Sequence, residues 1–142
     1  MNANQHLAGV LAAGTAALLL LAAGAAGAAD RAVQAGEQIF MDNCAVCHGK
    51  DARGDGPMAD ELKTRPADLT VLAKKNGGTF PTQEVYRVID GSAANDSLAR
   101  VHGPQEMPVW GTVFSKRMAG SSQAAKNRIK SVERYLQSIQ EK

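Results

Sequence analysis

Two cysteines three residues apart, with a histidine directly after the second, limit this chain more than any other feature. They are Cys44 and Cys47 in Cys44-Ala45-Val46-Cys47-His48, and the 142 residues hold no other cysteine. A disulfide between them would close so short a loop that it restrains the unfolded chain little. A thioredoxin-like redox pair needs βαβ surroundings, and no stretch here alternates convincingly with the period of a strand. Zinc needs two further ligands. The histidines are His6, His48 and His102, so one ion would have to accept both Cys47 and its chain neighbour. The fourth reading is covalent haem attachment, for which Cys-x-x-Cys-His is the signature. Its chemistry explains the spacing. On a helix, residues 44 and 47 share a face about one turn apart, matching the two vinyl groups on one porphyrin edge. His48 follows directly and can turn its imidazole under the ring.

Composition leaves room for such a group. Aromatic residues make up 4% of the chain, with one Trp, two Tyr and three Phe, so a domain of this length has a thin core unless something else fills it. Lys plus Arg is 16 against 14 Asp plus Glu, a formal charge of +2. That excludes a strongly basic nucleic-acid binder as the default. All the charges fall on residues 30–142, and residues 1–29 carry none. Leu7–Ala29 reads as a secretory signal peptide with small residues at its end, Ala26-Gly27-Ala28-Ala29. The competing reading is an uncleaved membrane anchor, since about 20 apolar residues can span a bilayer. The start MNANQH lacks Lys and Arg, which counts against a signal. Under either reading the domain proper is residues 30–142 and is delivered across a membrane.

The exported part reads as all-α. Val33, Gly36, Phe40 and Cys44 mark one helical face, predicting a helix over Arg31–Cys47. Gly49–Thr70 is rich in Gly, Pro and Asp and predicts an irregular loop, with a short turn near Met58–Lys63. Thr82–Asp90 predicts a helix with Thr82 as N-cap and Gly91 as stop. Ser92–Pro108 reads as a second loop. Ala125, Ile129, Val132, Leu136 and Ile139 recur at spacings of 4, 3, 4 and 3, predicting an amphipathic helix over Ser122–Gln140 capped by Ser121 or Ser122. Loops this long in a small domain usually serve a site.

Taken together, these residues resemble the class I monohaem c-type cytochromes of bacteria. The likeness covers most of Gly36–Leu136. It runs through Gly36-x-x-x-Phe40, Cys44–Gly49, Gly54-Asp55-Gly56-Pro57, Arg65-Pro66-Ala67-Asp68-Leu69-Thr70, Met107-Pro108-Val109-Trp110-Gly111 and Tyr135-Leu136. The resemblance implies a small helical bundle with long loops around one haem c, bound through Cys44 and Cys47. It implies a periplasmic carrier of single electrons between redox partner proteins, with no catalytic acid, base or nucleophile of its own. The alternative is a haem c subunit of a larger dehydrogenase or oxidase complex. A gas- or peroxide-binding haem protein would need an open iron face.

His48 would fill one axial position. Met41, Met58, Met107, Met118 and His102 are the candidates for the other. Met41 precedes the cysteines on the same helix, Met58 lies in the tight loop after His48, and Met118 carries no motif. Pro108 biases Met107 toward extended backbone, a stiff turn able to hold a thioether over iron. The resemblance places the axial Met at this Met-Pro, with His102 as the rival. It also implies that the Pro57 carbonyl accepts from the axial histidine and that Trp110 packs beside the haem within reach of a propionate. Arg65 is either a propionate partner or solvated surface. Gly36, Phe40 and Tyr135 read as the crossing of the first and last helices. Residues 116–142 carry a net +5 and the rest of the chain −3, a pattern that suits either plain solubility or a docking dipole for a redox partner.

Overall fold

The computed structural model describes residues 27, 29–92 and 107–141. The chain divides into two compact units, residues 1–31 and 32–142. Of the first, residues 27 and 29–31 are described and are helical. The rest of the Leu7–Ala29 segment lies outside the described residues, and so do residues 93–106 with His102. No helix among the described residues is long and apolar enough to cross a membrane.

The second unit is all-α, with no strand among its described residues. Its helices are α1 (32–43), α2 (Ala45–His48), α3 (Leu72–Lys75), α4 (Thr82–Asp90), α5 (Trp110–Arg117) and α6 (Ser122–Ser138), with a 3-10 turn at Ala59–Glu61. The helix expected over Arg31–Cys47 is interrupted at Cys44, which keeps its amide bond to the Phe40 carbonyl at 2.7 Å but widens to a φ of −111° and becomes the N-cap of α2. Thr82 is the first residue of α4 and not its cap. Pro81 takes the cap position, and its carbonyl accepts the first helical bond from Val85 at 3.0 Å. The helix stops at Gly91, whose φ of 91° is left-handed.

α6 is the frame. Ser121 caps it, its hydroxyl accepting from the Ala124 amide at 3.2 Å. Its apolar stripe buries Ala125, Ile129, Val132, Tyr135 and Leu136. α4 and α5 pack against it. α1 crosses it at Gly36, where a side chain would run into the Ser131 carbonyl. Beside that contact the Phe40 and Tyr135 rings pack at 5.3 Å between centroids, tilted by 47°. Phe40, Phe114, Ile129 and Val132 are fully buried. Burial of such side chains contributes about 1.5–3 kcal/mol each.

Two helices have no counterpart in the sequence reading. α5 (WGTVFSKR) contains Gly111 and the β-branched Thr112 and Val113, all weak helix formers. Tertiary contacts hold it. Trp110 packs on Phe114 with 5.2 Å between centroids, and the Arg128 guanidinium from α6 lies 5.1 Å above the Phe114 ring. α3 is a single turn and is too short for a periodic signal.

Candidate functional site

The bundle encloses a cavity of about 590 Å³, within the roughly 300–1,000 Å³ usual for bound cofactors. α1 contributes Phe40, α3 Leu72, α4 Val85 and Ile89, and α6 Val132 and Leu136. Cys44, Cys47 and His48 line it too. Met107, Pro108 and Trp110 reach the same cavity from a segment about 60 residues later in the chain, and Arg65 also lines it. The structure therefore brings together six of the seven residues singled out from sequence.

The attachment turn is built from backbone bonds. The Cys47 and His48 amides both donate to the Cys44 carbonyl, at 3.1 and 2.9 Å. Carbonyls at the end of so short a helix lack helical partners, and the following loop supplies them. Gly54 donates to His48, Gly56 to Cys47 and Met58 to Val46, at 2.8, 3.2 and 2.9 Å. Gly56 is needed for this close approach, since a Cβ there would meet the Ala45 and Val46 carbonyl oxygens at 2.6 Å.

The two thiols are not joined to each other. Burial first, and the neighbouring Cys47 second, push the Cys44 thiol up to about 12. A thiol so raised has almost no thiolate at neutral pH, which is the reverse of what a thiol–disulfide catalyst requires. Burial lowers the His48 pKa, opposed by its hydrogen bond to Ala67, so the imidazole is held neutral, the form that binds metal.

His48 Nδ1 lies 3.3 Å from the Ala67 carbonyl. Pro57, the seventh residue, is exposed and lies outside the cavity lining. It follows Gly56 on the outer side of the loop, while the Arg65–Thr70 segment runs along the cavity instead. The acceptor beside the imidazole is thus a backbone carbonyl ten residues beyond Pro57. A carbonyl carries no side-chain signature, so the only sequence signal was the Arg65-Pro66-Ala67-Asp68-Leu69-Thr70 motif as a whole. Arg65 is tied to the attachment loop, its Nε donating to the Gly54 carbonyl at 3.1 Å.

Two of the competing methionines are disposed of by position. Met58 and Met118 are 44% and 42% exposed and do not line the cavity. Met41 packs against the core from α1.

Compared with known proteins, residues 33–141 match the family model for cytochrome c. The chain belongs to the cytochrome c family. The group this cytochrome c domain carries is haem c, bound covalently through Cys44 and Cys47, and the chain fits it. The cavity has the size and the apolar walls for a porphyrin, and both unpaired thiols and the neutral imidazole line it. The domain is also similar to a Cbb3-type cytochrome c oxidase subunit FixPc of Rhizobium leguminosarum bv. viciae, 60% identical over 57 residues, 34% of this chain and 20% of that protein. A Cbb3-type cytochrome c oxidase subunit FixP of Rhizobium etli is 45% identical over 56 residues, 33% of this chain and 20% of that protein. The matched part thus spans about a fifth of the length of these relatives. No solved structure matches the chain.

Proposed function

We propose that this chain is a periplasmic electron carrier with a single haem c held between His48 and Met107. The observation that supports the reading best is one cavity lined both by Cys44, Cys47 and His48 and by Met107. Haem c supplies a one-electron iron couple. His48 would hold the iron through a neutral imidazole, with the Ala67 carbonyl orienting it at Nδ1. Met107 would add a soft thioether, a ligand that raises the potential relative to two imidazoles and would leave no open position for a gas or peroxide. Trp110 closes the cavity beside Met107, and Arg65 provides a cation at its edge. The leader reading of residues 1–29 accounts for export, which this linkage requires.

The test is an absorption spectrum of the exported protein, oxidised and reduced, with and without carbon monoxide, together with its mass after denaturation. A haem that stays with the chain, a sulfur-to-iron charge-transfer band and indifference to carbon monoxide are expected. Ready carbon monoxide binding by the unmutated protein refutes His/Met ligation and leaves a gas binder. A haem-free mature chain with a Cys44–Cys47 disulfide, made in a host competent for cytochrome c assembly, refutes the whole reading.

A second reading rests on the similarity to the Cbb3-type oxidase subunits. Here the same His48/Met107 site passes electrons within an oxidase complex and not between soluble partners. Purification from mild detergent separates the two. Stoichiometric oxidase subunits in the same complex support the second reading, and a lone soluble chain supports the first.

A further inference from the structure

The C-terminus of α6 ends on the segment that carries the Ala67 carbonyl, and one side chain makes the join. Gln140 Oε1 accepts from the Ala73 amide at 2.9 Å. Its Nε2 donates to the Leu69 carbonyl at 2.8 Å and to the Leu136 carbonyl at 2.7 Å. Ala73 is in the first turn of α3 and Leu136 in the last turn of α6, positions where backbone groups have no helical partner. A single amide therefore satisfies orphan groups of two helices and holds the loop that leads into α3. The next residue extends the join, the Glu141 amide donating to the Thr70 carbonyl at 2.8 Å.

Leu69 is held from both sides. Its amide donates to the Ala52 carbonyl at 2.8 Å while its carbonyl takes the Gln140 bond. Ala67, two residues earlier, faces His48 Nδ1. Between them Asp68 folds back, its Oδ1 accepting from the Thr70 amide and hydroxyl at 2.9 and 2.6 Å. Only the Asp68 backbone separates Leu69 from the Ala67 carbonyl, so a shift at one is passed to the other.

We infer that Gln140 is a positioning residue for the axial imidazole, acting through Leu69 and the Ala67 carbonyl on the ring plane of His48. The inference rests on the reading of His48 as an iron ligand. Releasing Gln140 removes one of the anchors of the 67–73 segment, so the Ala67 carbonyl would shift and the His48 imidazole would turn with it.

The test uses the oxidised holoprotein and its proton NMR spectrum, where the hyperfine-shifted haem methyl resonances report the direction of the axial ligand planes. Gln140→Met keeps the length of the side chain and removes all three bonds. Gln140→Glu keeps an acceptor for Ala73 and removes the donated bonds to Leu69 and Leu136. Both variants should alter the spread or order of the methyl shifts with thioether attachment and the charge-transfer band retained, while Gln137→Ala, an exposed neighbour, should leave the pattern unchanged. Should Gln140→Met fail to accumulate, Gln140→Glu carries the test. A lower unfolding midpoint with a wild-type methyl pattern in these variants overturns the inference, since it marks Gln140 as a helix cap only. Failure of the ligand reading shows separately, as the absence of a His/Met spectrum in the unmutated protein.

Discussion

Among the described residues, the segment that carries His48 is pinned by hydrogen bonds, whereas the segment that carries Met107 is held by packing. On the first, the Gly54–Met58 loop donates three amides to the carbonyls of the attachment turn. The Arg65–Thr70 segment is then fastened to Ala52 and to Gln140 and braced within itself by the Asp68–Thr70 bond. On the second, Met107 is half-buried and Pro108 and Val109 are exposed. What anchors them is Trp110 on Phe114 at the start of α5. The difference teaches where each side can yield. A network of backbone bonds resists displacement in every direction, while an apolar contact tolerates sliding at small cost. In the proposed site the imidazole would thus be preorganised, and the Met107 thioether would be the ligand that can be lost without unravelling the fold.

The largest expected effect comes from breaking the packed side. Met107→Ala removes the sulfur and leaves the thioether bonds and His48 in place. The charge-transfer band should disappear, the potential should fall, and the reduced protein should bind carbon monoxide. Met58→Ala and Met118→Ala should leave all three properties unchanged, because both side chains point away from the cavity. Loss of the band in either control, with Met107→Ala silent, would place the second ligand elsewhere.

A lesion in the frame shared by both sides should be smaller and should not discriminate between them. Gly36→Ala sets a methyl against the Ser131 carbonyl and pushes α1 off α6. Overpacking of this kind costs about 1–3 kcal/mol. A chemical denaturation curve should show that loss while the oxidised spectrum keeps its ligand bands. An unchanged midpoint would mean that the helices part freely at this crossing.

How much of this was legible in the sequence follows from the same contrast. α6 was legible because five apolar residues at spacings of 4, 3, 4 and 3 face one core, and Ser121 announces its start. The attachment turn was legible because its chemistry needs particular side chains. Met107 was singled out by Pro108 and by the family likeness. α5 was hidden because its helix is sustained by contacts with α6 and not by its own residues. The bonded side was hidden for a different reason. Ala52, Ala67 and Leu69 act through backbone groups that every residue owns, and Gln140 reaches Leu69 and Ala73 across about 70 positions of chain.

The bonded side also has an acid-sensitive member. Partial burial pushes the Asp68 carboxyl up, but the Thr70 hydroxyl and amide and the Arg53 guanidinium outweigh this and hold it below the usual carboxylate range. A carboxyl lowered by folding contributes stability above its unfolded pKa and loses it as pH falls through the folded value. Thermal midpoints should therefore fall more steeply below about pH 4 in the unmutated protein than in Asp68→Asn. Above that pH the variant should be the less stable of the two. Parallel acid profiles would remove Asp68 from the network that fixes Ala67.

The smallest expected effect lies on the far face of α6. Lys126, Lys130 and Arg134 are exposed and recur every fourth residue, so they form one stripe. Val132 and Leu136, which line the cavity, are two residues away from members of that stripe and hence on the opposite side of the helix. A helix is about 10–12 Å across with its side chains, and screening at 0.15 M salt acts over about 8 Å. Charges on the stripe are therefore largely hidden from a partner seated at the cavity. Reversing all three to Glu should change the electron-transfer rate with an acidic partner protein by no more than about threefold at 0.15 M salt, with the potential unmoved. The change should grow as salt is lowered toward 0.01 M, where the screening length reaches about 30 Å. A tenfold loss at 0.15 M would instead mean that the partner seats on the stripe itself, and that electrons leave through α6 and not past either ligand-bearing side.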